Sequence, residues 1–318
     1  MMTKCICVGK KKIHCFWNNR ERQMHALFHK IQQNGKTHRF FAIGSPALVW
    51  QLIFFYLPLI LTISSSCWRC SDTGTFQGWT MQYLGSLFSK MHLNVIAYSL
   101  ILATVTALLC LLIAFPLAHF IAFRSGRHQT TLLFFLIVPF WTNFLLHVYA
   151  WFFALEQTGF LNNLLLALGL TQTPIHFLNS PFSVLLMMVY CFLPFMVLPI
   201  FSSLEKFDKE LLEASNDLGA SLRQTFIKIV LPLTLPGVRT GFFLVFVPAF
   251  GEFIIPELMG GDKQYFVGSV VSQYILGSET QELGAAFMAL SCLFLAGAAC
   301  VIHCVFRQIS TYLTRTVR

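Results

Sequence analysis

Glu213-Ala-Ser-Asn-Asp-Leu-Gly219, running on through Ala-Ser221-Leu-Arg-Gln-Thr-Phe226-Ile-Lys-Ile229-Val-Leu231-Pro232, is the stretch that decides how this chain is read. It sits in a polar island, residues 205–236, that carries the acids Glu205, Asp208, Glu210, Glu213 and Asp217. The bases Lys206, Lys209, Arg223 and Lys228 lie among them. The flanking sequence is apolar enough for hydrocarbon, whereas an element this polar is not, so the island projects into water.

The island's pattern predicts two short helices about Gly219. Apolar residues Phe207, Leu211, Leu212, Ala214 and Leu218 recur at helical spacing over 205–218. Gly219 offers a position where left-handed backbone is cheap, which ends one helix and lets the next leave at an angle. Ser221 is placed to cap a second helix carrying Leu222, Phe226, Ile229 and Val230. Pro232 and Pro236 are expected to stop that helix. A helix-turn-helix held between two apolar spans is shaped to dock on something soluble.

Apolar residues make up 56% of the 318 and Asp, Glu, Lys and Arg only 11%, which excludes an ordinary soluble domain. The class is all-α and polytopic, with six bilayer-length runs at 44–64, 93–123, 131–155, 181–204, 237–258 and 284–306. The second is long enough to tilt or to start outside the membrane. With the N-terminus inside, nineteen of the 22 Lys and Arg fall on the cytoplasmic side; only Arg69, Lys90 and Lys263 fall outside. This bias puts the island and both termini in the cytoplasm. The net charge of +9 therefore reports topology, and no nucleic-acid partner is read from it.

The expected organisation is a basic cytoplasmic segment at 1–43, a six-helix membrane domain at 44–306 containing the 205–236 loop, and a cytoplasmic tail at 307–318. The N-terminal segment has no apolar core ahead of Phe40, so the first span reads as an uncleaved anchor, and Met24 is an alternative start. Cys5, Cys7, His14 and Cys15 match no standard zinc spacing, and a tail without metal is the preferred reading. Cys67 and Cys70, in the first outer loop, could form a disulfide in an oxidising compartment. The cysteines of the spans read as small packing residues.

No Gly-x4-Gly-Lys-Ser/Thr phosphate loop, metalloprotease pattern or Gly-x-Ser-x-Gly elbow occurs. No catalytic residue, metal or cofactor is expected, and any active transport must draw on a separate ATPase.

Glu213, Ala214, Gly219, Ile229, Leu231 and Pro232 resemble the Glu-Ala-Ala loop of ABC-importer permeases at every spacing, with Ser215 in place of the second Ala. The resemblance narrows over most of the chain from about Pro46. Pro139-Phe-Trp-Thr-Asn143, Tyr149-Ala-Trp151, Gly159-Phe-Leu-Asn162, Leu193-Pro194-Phe195-Met196 through Pro199, and Gly251-Glu-Phe-Ile-Ile-Pro256-Glu-Leu-Met-Gly-Gly261 look like the spermidine/putrescine permease subfamily. His147 departs from it, standing where relatives commonly carry Arg.

The resemblance implies a type I importer permease in a bacterial inner membrane. Its partners would be a second permease, a cytoplasmic ATPase dimer docked on the Glu213–Pro232 loop and a periplasmic binding protein. Alternating access would follow from ATP-driven closure. Other cargoes, such as ferric iron, thiamine or phosphonate, fit the same architecture, and a scaffold that has lost transport is the rival of a different class.

A polyamine path needs acids and aromatic faces. Glu252 and Glu257 flank Phe253 and Pro256 in the fifth span, where a carboxylate costs about 2.5–3.5 kcal/mol on insertion scales and so faces a bundle interior or water. Pro256 is expected to kink or end the helix between them. Glu252 would face the path and Glu257 its outer mouth, or both would pair with a partner subunit. Trp141, Tyr149 and Trp151 either anchor at the interface or line the path, with His147 helping to shape its entrance. Glu156 and Asp72, on the outer side, read as solvated acids.

Overall fold

The computed structural model describes residues 45–66, 68–70, 76–79, 85, 87–207, 210–261, 266–277 and 281–316. The Cys5, Cys7, His14 and Cys15 cluster, Cys67 and Asp72 lie outside them. The chain divides into two units, Met1–Ser64 and Ser65–Arg318. In the first, α1 (Ser45–Ser64) is a 20-residue apolar helix with mean hydropathy 2.0 and one π-turn at Leu52–Tyr56.

The second unit opens with a short antiparallel ribbon, β1 (Trp68–Cys70) against β2 (Phe76–Trp79). All the other elements are helical: α2 (Lys90–Phe123), α3 (Gln129–Ile137), α4 (Phe144–Leu155), α5 (Phe160–Ala167), α6 (Pro181–Glu205), α7 (Glu210–Asp217), α8 (Leu222–Gly251), α9 (Ile254–Gly260), α10 (Val267–Leu276) and α11 (Gln281–Thr316). Among the described residues, five helices are long and apolar enough to cross a membrane, and six if the bent pair described below is one span.

The core is the triple contact of α2, α6 and α8. Lipid tails are as apolar as any side chain, so these helices associate by close packing rather than by hiding oil from water. Small residues make that possible. Ala103, Ala107, Cys110, Ala114 and Ala118 form a fully buried stripe on α2. On α8, a Cβ at Gly237 would fall 2.3 Å from Ser203 Oγ and 2.5 Å from the Pro199 carbonyl of α6, and one at Gly241 would fall 2.9 Å from Met196 Sδ. The two glycines are one turn apart and set how closely α8 lies on α6.

Five expectations are corrected. The 131–155 run is not one straight span. Residues Gly126–Trp141 and Phe144–Ala167 meet at 91°, because Thr142 is extended and the Asn143 side chain caps α4 by accepting the Leu145 N–H at 2.9 Å. The 205–218 helix is divided too: α6 runs to Glu205 and α7 covers Glu210–Asp217.

Pro232 and Pro236 do not stop the second loop helix, which continues as α8 for 30 residues. The turn just before Pro232 is a π-turn, Phe226–Val230, whose wider winding makes room for a ring that lacks an N–H. Finally, the fifth span breaks at Glu252 rather than at Pro256: Glu252 has ψ 132, and Pro256 lies buried inside α9. The last helix also outruns its predicted end at Phe306 and reaches Thr316.

Candidate functional site

The polar loop is built as two capped helices. Gly219 has φ +72, and the turn around it has both bonds of a Schellman ending: Gly219 N–H to the Asn216 carbonyl at 2.9 Å and Ala220 N–H to the Ser215 carbonyl at 3.1 Å. Ser221 then starts α8 with a reciprocal box. Its hydroxyl accepts the Gln224 N–H at 3.4 Å, and Gln224 Oε1 accepts the Ser221 N–H at 2.9 Å. Both polar ends are thus satisfied locally.

Across the turn, the Ser215 and Thr225 hydroxyls meet at 2.7 Å and are buried. Phe226 packs edge-on to Phe115 of α2 at 5.5 Å, and Phe207 edge-on to Phe123 at 6.0 Å, so the loop is seated on the bundle.

The six motif residues fall into two groups. Glu213, Ala214 and Gly219 are exposed, whereas Ile229, Leu231 and Pro232 are half-buried where α8 enters the bundle. Leu218 and Leu222, which flank the Gly219 turn, are 87% and 84% exposed. Bare leucines beside an exposed glutamate make a surface suited to a soluble protein's cleft, with apolar area for affinity and a carboxylate for register.

The tentative path residues are distributed unevenly. His147 is half-buried and bonded on both nitrogens. Its Nε2 meets the Pro139 carbonyl at 3.0 Å and also contacts the Thr142 hydroxyl, and its Nδ1 meets the Tyr190 hydroxyl at 3.1 Å. A carbonyl can only accept, so in the neutral ring Nε2 carries the proton and Nδ1 accepts from Tyr190. His147 thereby ties the bend before α4 to the middle of α6.

Trp151 sets its ring edge on Tyr190, with centroids 5.6 Å apart. Trp141 and Tyr149 do not join this cluster: they are 77% and 48% exposed. A cavity of about 200 Å³ opens beside it, lined by Phe140, Thr142, His147, Tyr190, Cys191 and Pro194 among others.

Glu252 is half-buried and acts as a cap. Its Oε1 accepts the N–H groups of Ile254 at 3.0 Å and Ile255 at 3.4 Å, at the start of α9. Glu257 is exposed in the first turn of α9. Tyr190 is the member that sequence reasoning missed; its one signal is a hydroxyl in the middle of an apolar run.

Asn162 turns out to be structural. Fully buried, it donates to the Glu156 and Ile175 carbonyls at 3.1 and 3.0 Å and accepts the Ile175 N–H at 2.9 Å, closing the 156–175 loop.

Residues 40–307 match the family described as binding-protein-dependent transport system inner membrane component. The spermidine/putrescine transport system permease protein PotB of Salmonella typhimurium (strain SL1344) is 41% identical over 238 residues, 74% of this chain and 83% of that protein. PotB of Escherichia coli (strain K12) is also 41% identical, over 86% of its length. Among solved structures, a bacterial alginate ABC transporter in complex with an alginate pentasaccharide-bound periplasmic protein shares the fold, with TM-score 0.68 at 18% identity over 86% of this chain and 96% of that one. The seated two-helix loop, the interlocked helices that carry it and these likenesses agree: the chain belongs to the binding-protein-dependent transport system inner membrane component family, as an ABC-importer permease that groups with the PotB proteins.

Proposed function

We propose that this permease forms, with a second permease, the translocation path for spermidine or putrescine across the bacterial inner membrane. The observation that carries the reading is the 41% identity to spermidine/putrescine permeases over more than four-fifths of their length. A half-buried carboxylate at Glu252 and the Tyr190–Trp151 ring pair support it, because an ammonium calls for acids and aromatic faces. In this reading Glu252 and Trp151 face the path, His147 shapes its entrance, and Glu257, Trp141 and Tyr149 lie toward its mouth or the lipid interface.

The membrane domain is taken as 44–306, with a basic cytoplasmic segment before it and a cytoplasmic tail at 307–318. The excess of Lys and Arg on one side supports a cytoplasmic position for both termini and the 205–236 loop. Two such loops, one per permease, dock in the clefts of an ATPase dimer through Glu213, Ala214 and the Gly219 turn. Closure of that dimer drives the loops together and opens the path outward to a periplasmic binding protein, and hydrolysis returns it inward.

The test is uptake of labelled spermidine and putrescine by vesicles containing the full complex. ATP-dependent uptake that Glu213→Ala abolishes is expected. An intact complex with ATPase activity but no polyamine uptake would remove the substrate from the proposal.

A further inference from the structure

Two arginines near the loop end of the bundle are paired with no acid among the described residues. Phe243 of α8 meets His303 of α11 with ring centroids 6.5 Å apart, and Phe242 meets Phe306 at 5.5 Å. These pairs fix an antiparallel register. One turn toward the loop end from Phe243 is Arg239, and one turn the same way from His303 is Arg307. The two residues therefore stand at one depth on adjacent helices, and both are exposed. No ion pair is formed by either with a carboxylate of the described residues. Glu205, the acid at that end of α6, lies beyond Ser203, which packs against Gly237, and so further toward water.

Deeper along the same face runs a cavity of about 800 Å³. Phe195, Phe243 and Val247 contribute to its apolar wall, and Arg239, Thr240 and His303 supply its polar side chains. Val247, 45% exposed, is eight residues from Arg239, roughly 12 Å along the helix axis. The cleft thus has Arg239 at its watery end, with Arg307 at the same depth on the neighbouring helix, and an apolar floor leading into the membrane.

We propose that this cleft binds an anionic phospholipid, with the phosphate held between Arg239 and Arg307 and an acyl chain laid along Phe243 and Val247. Charge decides the occupant. A guanidinium at the membrane surface attracts an anionic headgroup and holds its phosphate by paired N–H donors. A polycation in transit would be repelled by two uncompensated guanidiniums, so this face is not part of a polyamine path. The proposal goes beyond the transport reading, and its readout does not use transport.

The test uses the full chain in phosphatidylcholine vesicles and compares spin-labelled phosphatidylglycerol with spin-labelled phosphatidylcholine for the motionally restricted fraction. Wild type is expected to prefer phosphatidylglycerol, each arginine contributing roughly fivefold. R239Q/R307Q should bring the preference down to that of a generic interface. R239K/R307K, which keeps the charge, should retain most of it and control for folding. Equal association of both lipids with wild type would overturn the proposal, whether the cleft stands empty or is covered by a second subunit. A preference that survives in R239Q/R307Q would overturn it as well.

Discussion

The Ser215 and Thr225 hydroxyls are bonded at 2.7 Å inside the turn that reverses the polar loop. Ser215 occupies the position of the second alanine in the Glu-Ala-Ala pattern, and this bond is what the extra oxygen does. It fastens α7 to the start of α8, so the two helices present Glu213 and the Gly219 turn as one rigid surface.

Ser215→Ala should leave the Thr225 hydroxyl buried without a partner, weakening the loop by about 1–3 kcal/mol. Ser215→Ala with Thr225→Val removes both polar groups and should recover part of the loss. Hydrogen exchange at Leu218, Gly219 and Ala220 measures this, and equal protection in all three proteins would contradict it.

Gly219 at φ +72 can be replaced by Asn more cheaply than by Val, since a β-branched side chain in that region is a steric outlier. Gly219→Asn should keep most ATP-driven uptake. Gly219→Val, through backbone strain, and Gly219→Asp, through a charge added to the exposed turn, should lose it while the protein remains in the membrane at wild-type amount. Normal uptake by Gly219→Asp would remove this turn from the docking surface.

Glu252 combines a charge with a cap, and two substitutions separate them. Glu252→Gln keeps an oxygen for the Ile254 and Ile255 N–H groups but loses the charge. Glu252→Ala loses both. If the carboxylate attracts polyamine, Gln should depress uptake with little effect on stability, whereas Ala should add a loss of about 0.5–2 kcal/mol from the cap. Unchanged uptake in Glu252→Gln, measured beside thermal unfolding, would leave the residue a cap alone.

Tyr190→Phe keeps the ring against Trp151 and removes the donor to His147 Nδ1, for an expected cost of about 1 kcal/mol and little change in substrate affinity. Tyr190→Ala removes the aromatic face as well and should raise the apparent KM for spermidine. Identical KM values for Phe and Ala would show that the face does not meet substrate.

Gly237→Ala should damage the α6–α8 contact. Its added methyl would stand 2.3 Å from Ser203 Oγ and 2.5 Å from the Pro199 carbonyl, and the latter is backbone that cannot swing away. A loss of about 1–3 kcal/mol is expected, read as a lower yield of folded protein. Ser203→Ala would not rescue it.

The loop was legible because its signals are positional: Gly219 for φ, Ser221 for the cap and the acids for water each have one local meaning. The bundle's breaks were not. Hydropathy over 131–155 and 237–258 records how apolar a run is and is blind to its direction, so the 91° bend and the break at Glu252 passed unseen. Proline misled in both senses. Pro232 looks like a stop although a π-turn accommodates it, and Pro256 looks like the break although the Glu252 backbone turns first. Tyr190 and Arg239 acquire meaning only from what stands across from them, which a single sequence does not reveal.

The helix from Leu222 to Gly251 starts beside the Gly219 turn and ends against the Glu252 cap without interruption. A lever of 30 residues is about 45 Å long, so a tilt of roughly 10° about one end carries the other through about 8 Å. Motion imposed at the loop therefore reaches the carboxylate mechanically, with no chain of side-chain rearrangements between them. Gly237 and Gly241 hold that lever to α6 in close contact near its middle, and a pivot there would move each end by about 3–4 Å for the same tilt.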